Sequence, residues 1–513
     1  MRKLFYLSVL LIVLFEVGIG YYYRTFLWSL VIFAPYILLG FHDVFQKKQT
    51  LKRNFPVFGH GRYLMEILRP KFYQYFVESD IDGAPINRIH RSLIYQRAKK
   101  ALSTNPFGTQ LNVYSEGYEW INHSMNPIDL KEVDHDLTVE VGGKNCSKPY
   151  RSSIFNVSAM SYGALSKNAI LALNRGAKIG GFAHNTGEGG LSPFHLENAG
   201  DLIWQIGTGY FGTRTLEGDF DFGLFSEKSQ FEQVKMIEIK LSQGAKPGHG
   251  GILPKSKNTP EIASIRNVQP GTDVISPPYH RAFSNFHQML EFISKLREIS
   301  KGKPIGIKLC FGHPHEFKKL CEAMKFTGLR PDFITIDGGE GGTGAAPLEF
   351  SNSVGTPLRD GLVKATDYLY EYDLKKDIKV ICSGKIITGF DVVKNLALGA
   401  DICNAARAMM MALGCIQALV CNTNKCPTGV ATQDPELYKG LDIADKAVRV
   451  ANYHHQTLEA VEEILAASGI HHLHELNRSL IYKRISLGEV KTFADIYPYP
   501  ELKNREKASQ KIA

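Results

Sequence analysis

The chain has 513 residues, a hydrophobic fraction of 44% and a charged fraction of 22%, values typical of a globular protein with a large core and not of a disordered chain. Its net charge of +9 is not gathered into a basic surface interleaved with aromatic residues, which argues against a nucleic-acid partner. Three of the eight cysteines fall within twelve residues, so a metal centre in a reducing compartment is a better interpretation than a disulfide scaffold.

Two apolar runs open the chain, Leu4–Gly20 and Phe26–Phe41, and each is close to the length of a membrane-spanning helix. Basic residues precede the first run and follow the second, so the positive-inside rule predicts two transmembrane helices over residues 1–45 with both ends in the cytoplasm. A signal peptide is the rival interpretation, although no small-residue cleavage site follows. A buried hairpin and an interfacial helix also stay open. Glu16 interrupts the first run, and the sequence identifies no partner for it.

An alternation of short apolar runs and helical phrases begins after a mixed, polar segment over residues 46–149, which we interpret as wrapping the next domain. Over residues 150–434 this alternation predicts parallel β/α units whose strands are buried on both faces. The predicted strands include SIFNVSAM, MIEIKLSQG, DVISPP, PIGIKLCFG, DFITIDGG, IKVICSGK and ADICNAAR. We therefore predict an α/β fold, a (β/α)8 TIM barrel with its chemistry at the strand ends. A C-terminal helical extension and a solvated tail, Lys503–Lys511, are expected over residues 435–513.

Glycine-rich segments follow three of the predicted strands, at residues 337–347, 383–389 and 404–407. Many barrels bind a phosphate group at the last two strand ends, with glycine amides and a helix N-terminus. Here Gly384 and the amides of Ala405 and Ala406 would form such a site. The alternative is that these glycines only form tight turns.

Two lysines, Lys240 and Lys308, lie within apolar predicted strands. A buried ammonium group requires an anion. The anion could be a reduced flavin, whose N1–O2 edge is negative, or a neighbouring acidic side chain.

The sharpest local motif is a set of three cysteines, Cys415, Cys421 and Cys426, followed directly by Pro427. Thiolates bind iron, and three ligands suit a cluster of three irons. A zinc site would need a fourth ligand, which no usual spacing provides. Three buried cysteines without a metal are the remaining alternative.

From about Tyr150 to Asp434 the chain resembles the FMN-binding synthase domain of glutamate synthases. As a whole it resembles the short, membrane-anchored, stand-alone members called FMN-binding glutamate synthase family proteins. The matching phrases, in chain order, are SAMSYGALS, NTGEGG, IEIKLSQGAKPGHGG, DGGEGGTGAAP, SGKIITGFDV and GCIQALVCNTNKCPTGVATQ. Several long motifs in one order over more than half of the chain make the resemblance specific.

The resemblance implies a barrel that holds FMN and a 3Fe-4S cluster. Electrons would pass from the cluster to FMN, and hydride would then reduce a 2-imino acid, made from 2-oxoglutarate and ammonia, to glutamate. The implied FMN-lining residues are Ser158, Met160, Gln205, Lys308, Gly341, Gly342, Gly384, Ala405 and Ala406. The implied cluster ligands are Cys415, Cys421 and Cys426. Lys240 and Lys246 occupy flavin and keto-acid positions, Arg266 a keto-acid carboxylate position, and Glu188 a position that guides ammonia or protons.

The chain departs from the family pattern at several substrate positions. The usual phrase GEGGQLPG reads GHGGILPK, so His249 replaces an acid and Ile252 replaces a glutamine that contacts the keto acid. A following HHD reads His280–Arg281–Ala282. The family's N-terminal glutaminase domain and C-terminal β-helix are not seen, so ammonia or a partner-supplied nitrogen is expected in place of glutamine.

Three functions therefore stay open at this point. The first is a glutamate synthase fed by ammonia or by a partner. The second is an FMN and iron–sulfur oxidoreductase for a different amino or imino acid. The third is a membrane-anchored electron-transfer subunit without turnover of its own. No dinucleotide-binding motif is visible, so a ferredoxin, a quinone or a separate reductase subunit could donate the electrons. A multi-pass cell-membrane protein with a cytoplasmic catalytic domain is expected.

Overall fold

The structure is a computed structural model that describes residues 1–101 and 104–500. The predicted tail Lys503–Lys511 lies outside the described residues. The chain divides between Arg88 and Ile89 into two compact units.

The N-terminal unit is helical. Its helices are α1 Arg2–Tyr22, a 3-10 helix Arg24–Ser29, α2 Leu30–Phe45, α3 Thr50–Asn54, α4 Gly59–Phe72 and a π-helical turn Tyr73–Val77. The helical segments Arg2–Tyr22 and Arg24–Phe45 are long and apolar enough to cross a membrane. Glu16 in α1 is buried, and the Ser29 hydroxyl donates a 2.5 Å hydrogen bond to its carboxylate. Ser29 is thus the partner that the sequence did not identify.

The second unit contains a closed barrel of eight parallel strands, which confirms the predicted fold. The strands of the unit are β1 Glu119–Ile121, β2 Thr138–Val141, β3 Tyr150–Ser153, β4 Phe155–Val157, β5 His184–Asn185, β6 Leu202–Ile206, β7 Val234–Lys240, β8 Ile252–Leu253, β9 Val274–Ile275, β10 Ile305–Leu309, β11 Phe333–Asp337, β12 Lys379–Ser383, β13 Ile402–Ala405, β14 Ile481–Ser486 and β15 Glu489–Thr492. The barrel order is β4, β5, β6, β7, β10, β11, β12 and β13, and β13 pairs with β4 to close it.

The barrel strands are apolar because they are covered on both faces. Their outer faces meet helices, and a cluster of fully buried side chains that includes Ile203, Met236 and Phe333 packs with Val141 from the β2–β3 hairpin. The register places Lys240 opposite Lys308 and Asp337 opposite Ser383. The carboxyl ends of the strands therefore bring charged side chains to one mouth.

Helices connect and cover the strands, as the alternating pattern predicted. The helices of the second unit, with α5 starting at the unit boundary, are α5 Arg88–Ala98, α6 Lys167–Gly180, α7 Pro193–Leu196, α8 Phe222–Ser229, α9 Pro260–Arg266, α10 Phe286–Ile299, α11 Pro314–Thr327, α12 Leu348–Ser353, α13 Leu358–Glu371, α14 Gly389–Ala397, α15 Arg407–Ala412, α16 Pro435–Tyr438, α17 Ile443–Ala467 and α18 Phe493–Ile496. Several begin at side-chain caps, for example α6 at Ser166, whose hydroxyl accepts a hydrogen bond from the Ala169 amide.

Three local assignments differ from the sequence-based expectation. The phrase DVISPP contributes β9, which pairs with β8 in a small antiparallel hairpin outside the barrel. The barrel instead uses β5 and β6, two strands that the expected set lacked. The C-terminal region contains the predicted helix, α17, and also β14 and β15, which form an antiparallel sheet with β1. Of these two strands, β14 pairs with the distant β1 and β15 pairs with β14, and local sequence does not reveal the contact with β1.

Candidate active site

A buried carboxylate, Glu238 of β7, lies inside the barrel. Its oxygens accept hydrogen bonds from Asn185 Nδ2 at 2.9 Å, Gln205 Nε2 at 2.6 Å and Thr335 Oγ1 at 2.6 Å. Side chains from four strands thus meet at one acidic group that is 1% exposed. Because Gln205 donates through its amide nitrogen, its side-chain oxygen is left to accept a hydrogen bond from another group.

Lys308 of β10 lies between two carboxylates. Its ammonium is 3.3 Å from Asp337 of β11, which also accepts hydrogen bonds from the Gly244 amide at 2.8 Å and from the Ser383 hydroxyl. Burial alone would lower the pKa of Lys308, but the charges of Asp337 and Glu238 raise it above its ordinary value. Lys308 is therefore a fixed cation at this mouth.

A charged cluster at the same mouth combines one carboxylate with three cations. Glu188, which follows β5, forms a 2.8 Å ion pair with Lys240 at the end of β7. Burial opposes ionisation of Glu188, yet Lys240, Lys246 and Arg266 together lower its pKa below the ordinary value. The cluster carries two uncompensated positive charges, so it favours an anionic ligand.

Lys246 and Arg266 are the other two buried cations of this cluster. Lys246 donates a 2.8 Å hydrogen bond to the Ala345 carbonyl. Burial lowers the pKa of Lys246 to about 8, although the charge of Glu188 opposes this shift more strongly than the charge of Lys240 adds to it. Burial also lowers the pKa of Arg266 to about 10, which leaves it charged at neutral pH. Arg266 donates to the Tyr162 carbonyl at 2.9 Å, while its Nε has no partner among the described residues. That unpaired, buried N–H is available to a ligand.

The segment that departs from the family pattern lies against this cluster. A Cβ atom at Gly251 would come within 2.4 Å of the Glu188 carboxylate, so the chain approaches Glu188 as closely as glycine permits. Ile252 follows in β8 and pairs with Ile275 of β9. His249 faces Phe350 at a ring-centroid distance of 5.2 Å. The two substituted positions thus flank Gly250 and Gly251, of which Gly251 lies directly against Glu188.

His280 supports the strand end that carries Lys240. Its Nε2 donates to the Lys240 carbonyl at 2.9 Å, because a carbonyl can only accept, and its Nδ1 then accepts from the Tyr210 hydroxyl at 3.2 Å. Burial lowers the pKa of His280 to about 4, so the ring is neutral at physiological pH. His280 therefore holds the backbone at Lys240 in place without adding a charge.

The ends of β12 and β13 form a second part of the mouth. Ala406 precedes α15, and Arg407, the first residue of that helix, donates to the Glu340 carbonyl at 2.7 Å. A Cβ atom at Gly342 would be 2.9 Å from the Arg407 side chain, so only glycine fits at position 342 without displacing Arg407. Asn404 has a buried side-chain oxygen with no partner among the described residues.

The remaining predicted FMN-lining residues are distributed over the same strand ends. The Ser158 amide donates to the Ala405 carbonyl at 3.0 Å, and Met160 follows closely along the chain. Gly384 directly follows β12, and Gly341 bonds back to the Gly338 carbonyl at 2.8 Å in the loop after β11. The sequence-predicted residues thus derive from β4, β6, β10, β11, β12 and β13, whose carboxyl ends share one face of the barrel.

The three cysteines lie in the loop after α15. Burial, with smaller contributions from Cys421 and Cys426, raises the pKa of Cys415 to about 11. Burial also opposes ionisation of Cys426, but hydrogen bonds from Thr428 and nearby amides lower its pKa below the ordinary value. Within residues 1–101 and 104–500, no group of three or more histidine, cysteine or acidic side chains is arranged to hold a metal ion.

Sequence reasoning assigned no role to Glu238, and it marked Asp337, Asn404, Arg407 and His280 only as members of longer motifs and not as individual site residues. An acid two positions before Lys240 in an apolar strand was the available signal for Glu238, since a lone buried carboxylate is as costly as a buried lysine. Arg407 ends the NAAR phrase and could have been found as the second residue after a barrel strand.

Comparison with known proteins gives matches over most of the chain. Residues 94–471 match the family model described as the conserved region in glutamate synthase. The chain is 37% identical over 497 residues to the glutamate synthase large subunit-like protein YerD of Bacillus subtilis (strain 168), covering 88% of this chain and 94% of that protein. It is 36% identical over 321 residues to an archaeal glutamate synthase (NADPH) of Methanocaldococcus jannaschii, covering 62% and 60% of the two chains.

The structure is also similar to that of a flavocytochrome b2 variant with sulfite bound, with a TM-score of 0.44, 16% identity and coverage of 83% and 86% of the two chains. The family match and the similarity to YerD each extend over more than two thirds of the chain. The chain therefore belongs to the glutamate synthase family and is an oxidoreductase of that family.

Proposed function

We propose that the chain catalyses the reductive amination of a 2-oxo acid, with 2-oxoglutarate giving glutamate, and that it uses FMN, a 3Fe-4S cluster and either ammonia or a partner-supplied nitrogen. The observation that carries this proposal is the cluster of Glu188, Lys240, Lys246 and Arg266 at the barrel mouth. Three cations around one carboxylate suit a substrate that bears two carboxylates, since they would balance the two excess positive charges.

The residues at the mouth fit FMN. The amides of Gly384 and Ala406 and the guanidinium of Arg407 offer donors to a phosphate group, and the unpaired Asn404 oxygen can accept from a ligand. Gln205, whose nitrogen is occupied by Glu238, presents an acceptor to a ring N–H. Lys308 is a buried cation suited to an anionic ring edge. Bound FMN would supply a two-electron hydride donor at this mouth.

The cysteine loop fits an iron–sulfur cluster in the chemistry of its donors. Burial opposes ionisation of Cys426, but hydrogen bonds from the Thr428 hydroxyl and from backbone amides lower its pKa, and the charge of Cys426 acts on both Cys415 and Cys421. These three thiolates would hold the cluster.

The charged side chains at the mouth would have different roles toward the substrate. Arg266 would bind a carboxylate with its unpaired Nε–H, and Lys246 would bind the second anionic group. Glu188, ionised beside Lys240, can accept a proton from an incoming ammonium ion, and Lys240 can return one to the substrate nitrogen. His280 would hold Lys240 at the required position through its carbonyl.

The two apolar N-terminal helices bear on location. Helical segments Arg2–Tyr22 and Arg24–Phe45 suit a membrane hairpin, which would leave the catalytic domain on the cytoplasmic side of the cell membrane. The electrons would come from a partner such as a ferredoxin or a reductase subunit.

A second candidate function is the same chemistry on a different imino acid. Ile252 supports it, because this apolar residue directly follows Gly251, which lies against Glu188, and the family pattern has a glutamine at this position. An apolar side chain at this position would favour a substrate with an N-alkyl or other apolar group.

Ligand binding to the purified protein tests the anion site. Adding 2-oxoglutarate should perturb the visible spectrum of the bound flavin, which gives its dissociation constant. Arg266→Met should weaken 2-oxoglutarate binding at least tenfold, which corresponds to a loss of about 1.4 kcal/mol of binding free energy. Arg151→Met is the matched control, because Arg151 is exposed on β3, pairs with Asp136 and is not among the residues of the mouth. Equal affinities of the wild type and the Arg266 variant would refute the role of this cluster.

A further inference from the structure

The N-terminal unit exposes a stripe of large apolar side chains on α4 and the π-helical turn that continues it. Leu64, Met65, Phe72, Tyr75 and Phe76 are each more than half exposed, and Phe76 is 80% exposed. A soluble surface rarely leaves so many aromatic and aliphatic side chains uncovered within one helix. This stripe, residues 64–76, therefore requires a partner.

The apolar side chains share one side of the helix. Leu64, Leu68, Phe72 and Phe76 recur at intervals of four, the spacing that brings side chains together on a helix. The rings of Phe72 and Phe76 are in contact, with centroids 5.7 Å apart, so the stripe continues across the junction into the π-helical turn. The stripe is therefore a continuous apolar face.

The beginning of α4 is fixed to the end of the second candidate membrane helix. Asp43, in the last turn of α2, is fully buried and accepts hydrogen bonds from the Val57 amide and from His60 Nε2, each at 2.9 Å. His60 belongs to the first turn of α4. Wherever the end of α2 meets a membrane surface, α4 must start at that surface.

The net charge of the segment around α4 indicates which kind of surface it would bind. Residues 46–77 contain seven lysines and arginines and one acidic residue, Glu66, a net charge of +6. Arg62 and Arg69 lie on α4 itself and are exposed. Basic residues that flank an apolar helical face are the pattern of a helix lying in the headgroup region of an anionic bilayer.

We propose that α4 and the π-helical turn lie on the cytoplasmic surface of a membrane containing anionic lipids, with the stripe of residues 64–76 at the boundary between headgroups and acyl chains. This proposal rests on the proposed insertion of the α1–α2 hairpin into the membrane. It adds that α4 and the π-helical turn do not cross the membrane but lie at its surface. The partner is the lipid surface, and a second copy of the chain is the competing occupant.

Depth-dependent fluorescence quenching of the full chain in vesicles tests the proposal. The reporter is Phe76→Trp in a background with Trp28→Phe and Trp120→Phe, and the matched control is Phe326→Trp in the same background, because Phe326 is an exposed ring on α11. Vesicles contain phosphatidylglycerol and phosphatidylcholine brominated in the upper acyl chain. We expect the introduced indole at position 76 to lose about half of its emission and the control to lose little, given the shallow depth of interfacial helices.

Each other outcome contradicts a stated part of the account. Native Trp28, measured in Trp120→Phe, reports insertion of the hairpin: quenching of Trp28 without quenching at position 76 would overturn this inference and leave the hairpin intact. Quenching at neither position would overturn both. Equal quenching at position 76 in vesicles of phosphatidylcholine alone would reject the anionic lipid. Emission at position 76 that changes with protein concentration and not with brominated lipid would identify a second copy as the partner.

Discussion

Replacing Glu238 with glutamine should destabilise the barrel, because this carboxylate accepts three hydrogen bonds from Asn185, Gln205 and Thr335. Glutamine has the same shape, but it offers one acceptor oxygen and turns an N–H group toward a donor. Hydrogen bonds to charged groups contribute about 1.5–3 kcal/mol and neutral ones about 0.5–1.5 kcal/mol, so three weakened bonds sum to about 3 kcal/mol. Removal of a buried charge offsets part of this, and we expect a net loss of about 2 kcal/mol.

Urea unfolding in detergent measures this loss. In a background with Trp28→Phe and Trp120→Phe, the buried Trp204 of β6 reports unfolding of the barrel. The matched control is Glu232→Gln, since Glu232 is exposed just before β7 and its replacement should change stability by less than about 0.5 kcal/mol. If the Glu238 and Glu232 variants unfold at the same urea concentration, the buried network does not stabilise the barrel and the reasoning fails.

Three further predictions concern the cysteine loop and the substrate site. Cys421→Ala should abolish cluster absorption, whereas Cys146→Ala, whose thiol bonds to the Gly302 carbonyl, should leave the spectrum unchanged; an intact spectrum in the first variant would reject the ligand assignment. Ile252→Gln should tighten 2-oxoglutarate binding, measured by flavin titration, and no gain would show that this position does not limit affinity. Affinity for 2-oxoglutarate should fall as pH rises through about 8, because burial lowers the pKa of Lys246 to that value and only its protonated form attracts an anion. Lys246→Arg should flatten this pH profile, and an equally steep profile in that variant would exclude Lys246 as the titrating group.

The barrel could be predicted because its strands are apolar on both faces and alternate with helical phrases. Six of its eight strands, including β7 and β10, lie in the predicted runs. The strand β5 has two residues, His184 and Asn185, and both are polar, so closure of the barrel and not local preference makes it a strand. DVISPP has the local pattern of a strand, but its residues pair with β8 outside the barrel.

The sequence predicted which residues form the charged cluster, but it did not predict which of them pair with each other. The sequence indicated that Lys240 and Lys308 need anions and left a flavin or an acidic side chain as alternatives. The structure pairs Lys240 with Glu188 and Lys308 with Asp337. Glu188 is far from Lys240 in sequence, so only the closed barrel reveals the contact.

The most direct test of the account is the reoxidation of the reduced protein. The protein is purified anaerobically in detergent and reduced, and its flavin absorbance is followed after addition of 2-oxoglutarate and ammonium. The account predicts fast reoxidation that requires both compounds and forms one glutamate per flavin reoxidised. A normal flavin and cluster spectrum without reoxidation would contradict 2-oxoglutarate as the substrate, and reoxidation without ammonium would contradict reductive amination.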